Sequence, residues 1–278
     1  MTTRPSSSND IPRVTVIMAV NRADEYLRSA VESILHQTFQ EFDFLIIVDA
    51  GCRDLKDELD RLRAGDRRIK ILEAPPLGGL ALALNLGIAQ ARGEYIARMD
   101  GDDVSRPERL MEQVAYMDEH RDVAVLGCRV QIIDAHSEKV NRLYPYFQSD
   151  KDIRRVLPFR NPLPHPALMF RKSALFAVHG YKYGHASEDH EMFIRMARNP
   201  EMKFYNMDKT LFEYRRHDMQ GSRLGPRTRV CYLEISGFLF VEFLATHSPK
   251  YLFGMFAIHP WVRRARMVLR KCIHGSTN

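Results

Sequence analysis

The chain has 278 residues, 45% of them hydrophobic, enough to bury a sizeable core and too apolar for a disordered polymer. Its formal net charge is +6, but Lys250, Arg263, Arg264, Arg266, Arg270 and Lys271 all follow the last acidic residue, Glu242, and carry the whole excess; the neutral body has no basic bias of the kind a nucleic-acid-binding face shows. The cysteines Cys52, Cys128, Cys231 and Cys272 lie far apart without a CxxC pair, so neither a zinc site nor a disulfide framework is indicated, and a reducing, cytosolic compartment fits best.

Residues 1–12 are polar and read as a disordered N-terminus without the apolar stretch of a secretory signal. No run reaches the length of a bilayer span, so the expectation is a protein neither exported nor membrane-spanning. Residues 14–20 (VTVIMAV) and 44–48 (FLIIV) are short apolar runs rich in β-branched residues, as in strands buried on both faces. Between them Tyr26, Leu27, Ala30, Val31, Ile34 and Leu35 recur at helical steps and share one face. A strand at 69–72, a helix at 79–91 and a strand at 95–99 repeat the pattern, which predicts an open α/β domain with right-handed crossovers. Its ligand edge lies beyond the carboxyl ends of the strands.

The last of these strands ends at that edge in DGDD, placing Asp100, Asp102 and Asp103 within four positions. Like charges this close repel and require a counter-charge. Asp100 and Asp102 can face one divalent cation, and hard oxygen ligands with room for water and phosphate suit Mg²⁺ or Mn²⁺, which would hold a diphosphate. The alternative is that the carboxylates only stabilise the positive start of the next helix. In SRPERLMEQ that helix has an expected capping box, Ser105 with Glu108, and Pro107 in its first turn. A further strand is expected within 121–133 (VAVLGCRVQII), after which alternation becomes irregular through a proline-rich stretch, read as α+β material laid over the sheet's edge.

The stretches VTVIMAVNRADEYLRSAVESILHQTFQEFDFLIIVDAGCRD and GGLALALNLGIAQARGEYIARMDGDDVSRPERLMEQ resemble the nucleotide-sugar half of glycosyltransferase family 2. The resemblance implies a GT-A fold, a Rossmann-like, mixed but mainly parallel sheet flanked by helices. It divides the chain into a nucleotide-sugar-binding half at 13–133, an irregular acceptor-binding half at 134–227 and a C-terminal amphipathic helical region at 228–278. It also implies that Asp49 contacts the nucleobase and that Asp100 and Asp102 bind metal and diphosphate with Asp103 beside them. Asn21, Asn85 and Arg98 would lie near the donor. Asn21-Arg22 stands where Tyr-Asn is usual, and Ala50 and Cys52 where a second Asp and a Ser or Thr are common, which affects base identity more than catalysis.

ASEDHEMFIRMARN carries Glu188 and Asp189 ahead of an amphipathic helix with Met192, Phe193 and Met196 inward. It resembles the family's ED motif, whose Asp is the general base on the acceptor hydroxyl; the alternative is a set of helix-capping residues, Ser187 included. His165 and His217 are further candidates for contact with diphosphate, metal or acceptor, His217 as a metal ligand, and Arg215 and Arg216 could meet phosphate.

In the tail, residues 237–245 and 251–261 are apolar but short, and WVRRARMVLRKCIHG reads as a basic amphipathic helix. It either lies on an anionic membrane or packs on the body or on the twin subunit of a homodimer. The expected activity is an inverting, metal-dependent hexosyltransferase reaction from a nucleoside diphosphate sugar to a hydroxyl of a surface polysaccharide or lipid-linked glycan, cytoplasmic and peripheral on the inner membrane. The rival readings are a non-catalytic nucleotide-sugar binder or partner subunit, and a sugar nucleotidyltransferase, which would be expected to show a glycine-rich basic loop that NRADEYL lacks.

Overall fold

A computed structural model describes residues 11–50, 52–76, 78–182, 186–217, 227–259 and 262. Strands β1 (Val14–Val20), β2 (Phe42–Asp49), β3 (Ile69–Ala74) and β4 (Tyr95–Met99) are the apolar runs read from the sequence. They pair in parallel in the order β3-β2-β1-β4. Helices α1 (Leu27–Leu35), α2 (Arg53–Gly65) and α3 (Gly79–Gln90) make the crossovers. In α1, Leu27, Ala30, Val31 and Ile34 are buried as the spacing requires. Helix α2 is mostly polar and is missing from the sequence reading; Leu55 and Leu59, one turn apart, are the buried stripe that marks it.

Helix α3 lies so close to the sheet that a Cβ on Gly87 would stand 2.7 Å from Ile17. Tighter still is Gly93, in the turn into β4, where a Cβ would meet backbone atoms of Thr15 and Val14 at 2.6 and 2.7 Å. The Thr15 hydroxyl accepts from the Gly93 amide at 3.0 Å and donates to buried Asp43 at 2.7 Å, and Lys70 and Arg92 pair with the same carboxylate. This polar knot fastens the end of the sheet opposite the carboxyl edges. Backbone cannot yield as a side chain can, so Gly93→Ala is expected to lower stability by about 2–3 kcal/mol in chemical denaturation.

The second half of the chain extends this sheet and does not lie over its edge. After β5 (Val104–Ser105) and helix α4 (Arg109–Glu119) come β6 (Val123–Ile133), β7 (Lys139–Leu143), helix α5 (Asp150–Val156), a 3-10 turn (His165–Ala167), β8 (Met169–Arg171) and helix α6 (Lys172–Ala177). Helix α7 (Glu188–Met196) and β9 (Lys203–Arg215) follow. Strand β8 sits antiparallel between β4 and β6, β9 runs parallel to β6, and β5 closes antiparallel on β9, giving a described path β3-β2-β1-β4-β8-β6-β9-β5 with β7 on β6. Register shifts around Arg129 leave extra β9 residues between paired positions, and such bulges bend a strand.

The expected Ser105 capping box does not form. Helix α4 begins at Arg109 without a side-chain cap from its own N-cap residue, while Ser105 pairs with β9 and its hydroxyl accepts from Gln37. The Gln37 side-chain oxygen instead accepts from the Leu110 amide at 2.9 Å, so the helix start is capped from the turn that follows α1, across the fold. Helices α8 (Arg227–Thr246) and α9 (Pro249–Ile258) end the described chain. Ile235, Leu239 and Tyr251 are buried in the same core as β6, β8 and α7. The basic segment 261–275 lies outside the described residues apart from Val262. No described helix is long and apolar enough to cross a membrane.

Candidate active site

The strand order turns back at β1, with β2 and β3 on one side and β4 on the other. A crevice opens beyond the carboxyl ends of strands at such a point. Here it is a cavity of about 1450 Å³, larger than the roughly 300–1,000 Å³ of a single-ligand pocket, so two substrates can share it. Asn21 and Asp49 reach it from the ends of β1 and β2, and Arg98, Asp100 and Asp102 from the end of β4 and its turn. Asn85 on α3 and His165, Glu188 and Asp189 from the second half complete the expected set. Asp103 and His217 lie behind the wall.

The acidic turn is held from β9. Arg215 donates its backbone amide to Asp103 Oδ1 and its Nε to the Asp102 carbonyl, both at 2.8 Å, and its guanidinium lies 4.6 Å from the Tyr26 ring centroid. It therefore shapes the loop, as its buried position requires. His217 Nε2 lies 2.9 Å from Asp102 Oδ2. Burial, with repulsion from Asp100, raises the Asp102 carboxyl above its ordinary range, and His217 offsets part of the rise. Burial pushes Asp103 well above its range, and Asp102 and Asp100 add to the push.

Ligand oxygens of the three aspartates lie within 4.8 Å of one another. Asp103 Oδ2 is buried with no hydrogen-bond partner among the described residues. A hard-oxygen set carrying excess negative charge fits a divalent cation. Arg98, 2% exposed, donates to Asp100 Oδ1 at 2.5 Å and to the Met99 carbonyl. Burial works against its charge, but Asp100 and Glu188 outweigh that cost and hold the guanidinium charged.

Across the cavity, Asp189 Oδ2 accepts from Asn161 at 2.7 Å and Oδ1 from the His190 amide at 2.7 Å. Burial raises its pKa, and these hydrogen bonds act the other way. Asn85 is committed to the frame: its amide donates to the Tyr181 carbonyl at 2.7 Å and its oxygen accepts from the Tyr181 amide at 2.9 Å. That bracket sets the Tyr181 hydroxyl 2.6 Å from His165 Nε2. Burial, aided by nearby Arg98, keeps His165 well below its usual pKa and so neutral. Two departures from the family pattern meet each other, the Cys52 thiol donating to the Asn21 carbonyl at 2.8 Å.

Helix α7 is fixed by His190, whose Nε2 donates to the Leu157 carbonyl at 2.7 Å. Burial lowers its pKa to about 4, against about 6.5 in the unfolded chain. Between those values the unfolded state binds the extra proton, so stability falls as pH drops from about 6.5 to 4, by up to about 3 kcal/mol. Urea melts across that window are expected to show the loss, and His190→Gln to flatten it.

Sequence reasoning missed helix α8 as part of the site. Leu233, Glu234, Gly237, Phe238 and Val241 line the cavity, and Glu234 accepts from the Ser187 hydroxyl at 2.7 Å and the Ala186 amide at 3.1 Å. Ser187 is thus tied to α8 and makes no side-chain cap to α7. Glu234→Ala is expected to lower kcat about tenfold with donor KM little changed, and Glu234→Gln, which keeps an acceptor oxygen, to recover most of the loss.

A sheet with this switch point, a carboxylate turn at the end of β4 and a second carboxylate facing it define a GT-A fold with an enzyme's site. The glycosyl transferase family 2 model matches residues 15–176, and the chain belongs to that family: it is a glycosyltransferase. It is 34% identical over 234 residues to the O-antigen biosynthesis glycosyltransferase WbnJ of Escherichia coli, covering 83% of this chain and 89% of that one. It is 29% identical over 211 residues to the putative glycosyltransferase EpsE of Bacillus subtilis, covering 74% of each. Among solved structures, S. aureus TarS in complex with UDP-GlcNAc superposes with a TM-score of 0.62 at 17% identity, over 82% of this chain and 66% of that one. A mannosyltransferase from Pyrobaculum calidifontis in complex with GDP-Man and Mn²⁺ gives 0.63 at 14% identity, over 91% and 70%. At these identities the structures speak for the fold. The family membership decides against the binder and nucleotidyltransferase readings.

Proposed function

We propose that the chain moves a hexosyl group, with inversion, from a nucleoside diphosphate sugar to a hydroxyl of a cell-surface polysaccharide or lipid-linked glycan, with Mn²⁺ or Mg²⁺ held by Asp100 and Asp102 and flanked by His217. The observation that carries this reading is that the acidic turn and Asp189 line one cavity from different elements, the end of β4 and the start of α7. Single displacement needs that separation, because the nucleophile enters on the face opposite the departing diphosphate. The O-antigen biosynthesis role of WbnJ, and the UDP-GlcNAc and GDP-Man with Mn²⁺ bound in the two structural neighbours, support it.

In this reaction Asp49 holds the nucleobase, with Asn21 beside it, and Asp100 and Asp102 would hold the cation. When bound, the cation would stabilise charge on the leaving group, which spares the enzyme a general acid. Arg98 keeps Asp100 oriented, and Asn85 holds the Tyr181 wall. Asp189, aimed by Asn161 and the His190 amide, takes the acceptor's proton, with Glu188 beside it. The bond from the anomeric carbon to the diphosphate oxygen breaks as the bond to the acceptor oxygen forms, and a nucleoside diphosphate leaves. The reaction belongs on the cytoplasmic side of the inner membrane, where the chain would work peripherally. Nucleoside diphosphate release from a panel of nucleotide sugars, with Mn²⁺ or with EDTA, tests the reading; release that is equal in both overturns the metal assignment.

A further inference from the structure

Helix α8 carries two apolar stripes. Ile235 and Leu239 are buried on the body, with Glu242 in line with them and paired to Arg198. The opposite stripe steps through Leu233, Phe240, Val241 and Leu244, which are 67%, 46%, 54% and 55% exposed, and α9 adds Phe253 and Phe256 at 66% and 64%. Single exposed apolar residues are ordinary, but six on one helical hairpin mark a surface made to be covered.

Three observations choose the cover. Leu233 and Val241 belong both to the exposed stripe and to the cavity lining, so whatever meets the stripe also meets the cavity's mouth; a rigid second copy seated there would obstruct the acceptor's entry, and a fluid surface would not. Every formal charge after Glu242 is positive, which suits an anionic surface. No described helix is long and apolar enough to span, so the hairpin would lie on a bilayer and not cross it. We propose that the α8–α9 hairpin is a membrane-docking face that seats the mouth of the active-site cavity on anionic lipid. The inference rests on the proposed function for the acceptor that must enter the cavity past whatever covers the stripe.

The test is flotation of the full chain, without donor or acceptor, with vesicles of phosphatidylglycerol and phosphatidylethanolamine or of phosphatidylcholine alone. Binding is expected to the anionic vesicles and to weaken with salt. Phe240→Ser, Leu244→Ser and Phe256→Ser together, none of them at the cavity, should lower partitioning roughly a hundredfold with donor hydrolysis in vesicle-free buffer unchanged. Arg263→Glu, Arg264→Glu and Arg266→Glu together should remove the preference for anionic lipid, an independent check should the serine variant fail to fold. Full-length protein that ignores anionic vesicles, or a folded serine variant that floats as well, overturns the proposal. So does a dimer in light scattering that the serine substitutions dissolve without any vesicle binding, which would assign the face to a second copy. Flotation without donor turnover would keep the docking face and remove the reaction instead.

Discussion

Asp102→Asn is expected to lower nucleoside diphosphate release by roughly a thousandfold, the scale on which stabilising groups at a leaving group act. The same variant should be slightly more stable than the parent in EDTA. Asp102 has a raised pKa in the folded chain, caused by burial and by Asp100, so its ionised form opposes folding at neutral pH and an amide relieves that cost. With Mn²⁺ the order should invert. The parent gains stability by mass action on its folded state and the variant gains little. Thermal melts of both proteins with EDTA and with Mn²⁺ check this, and a Mn²⁺ shift equal in the two would remove Asp102 from the cation site. A variant that merely misfolded would lose stability under both conditions, so the pair of melts separates a lost ligand from a lost fold.

Asp189→Asn is expected to cut transfer to acceptor by about 10²–10⁴-fold, the usual worth of a positioned base, while the donor still binds with its parental affinity. The separation follows from the layout. Asp189 takes its hydrogen bonds from Asn161 and the His190 amide on the α7 side, whereas the residues proposed to hold the donor gather at the ends of β1, β2 and β4. Calorimetry of donor binding with Mn²⁺, set beside steady-state transfer, reads the two effects apart; a donor affinity that falls along with the rate would move Asp189 from base to donor contact. Burial raises the Asp189 carboxyl, which strengthens it as a base once ionised. The parental rate should therefore climb as pH rises through that raised value, and the asparagine variant should lack the step.

Much of the scaffold was legible residue by residue. β1 and β4 match their apolar runs because a strand buried on both faces is apolar at nearly every position, Thr15 and Arg98 being the exceptions. The inward faces of α1 and α7 follow from helical spacing for the same reason. Helix α2 was passed over because its apolar content is small, and a polar helix writes a faint pattern. The capping box at Ser105 was a local motif overruled by a distant partner: Gln37 reaches the same helix start and frees Ser105 for pairing with β9. Local signals state what a segment can do in isolation, and tertiary contacts select among those options.

The amino-acid sequence by itself determined the parallel core, the family, the acidic turn after β4 and the carboxylate pair at the start of α7, because each is written in a short contiguous stretch whose chemistry is local. How these stretches meet is a matter of long-range contacts. Arg215 and His217 close on Asp102 and Asp103 from more than 100 residues away in the chain, Asn85 brackets Tyr181 across 96 residues, and Glu234 on a helix read as tail holds the segment before Asp189. Such pairings leave no periodic trace, since either partner alone looks like an ordinary polar residue, and they form when the sheet's crossovers bring the carboxyl ends of β1, β4 and β9 around one cavity.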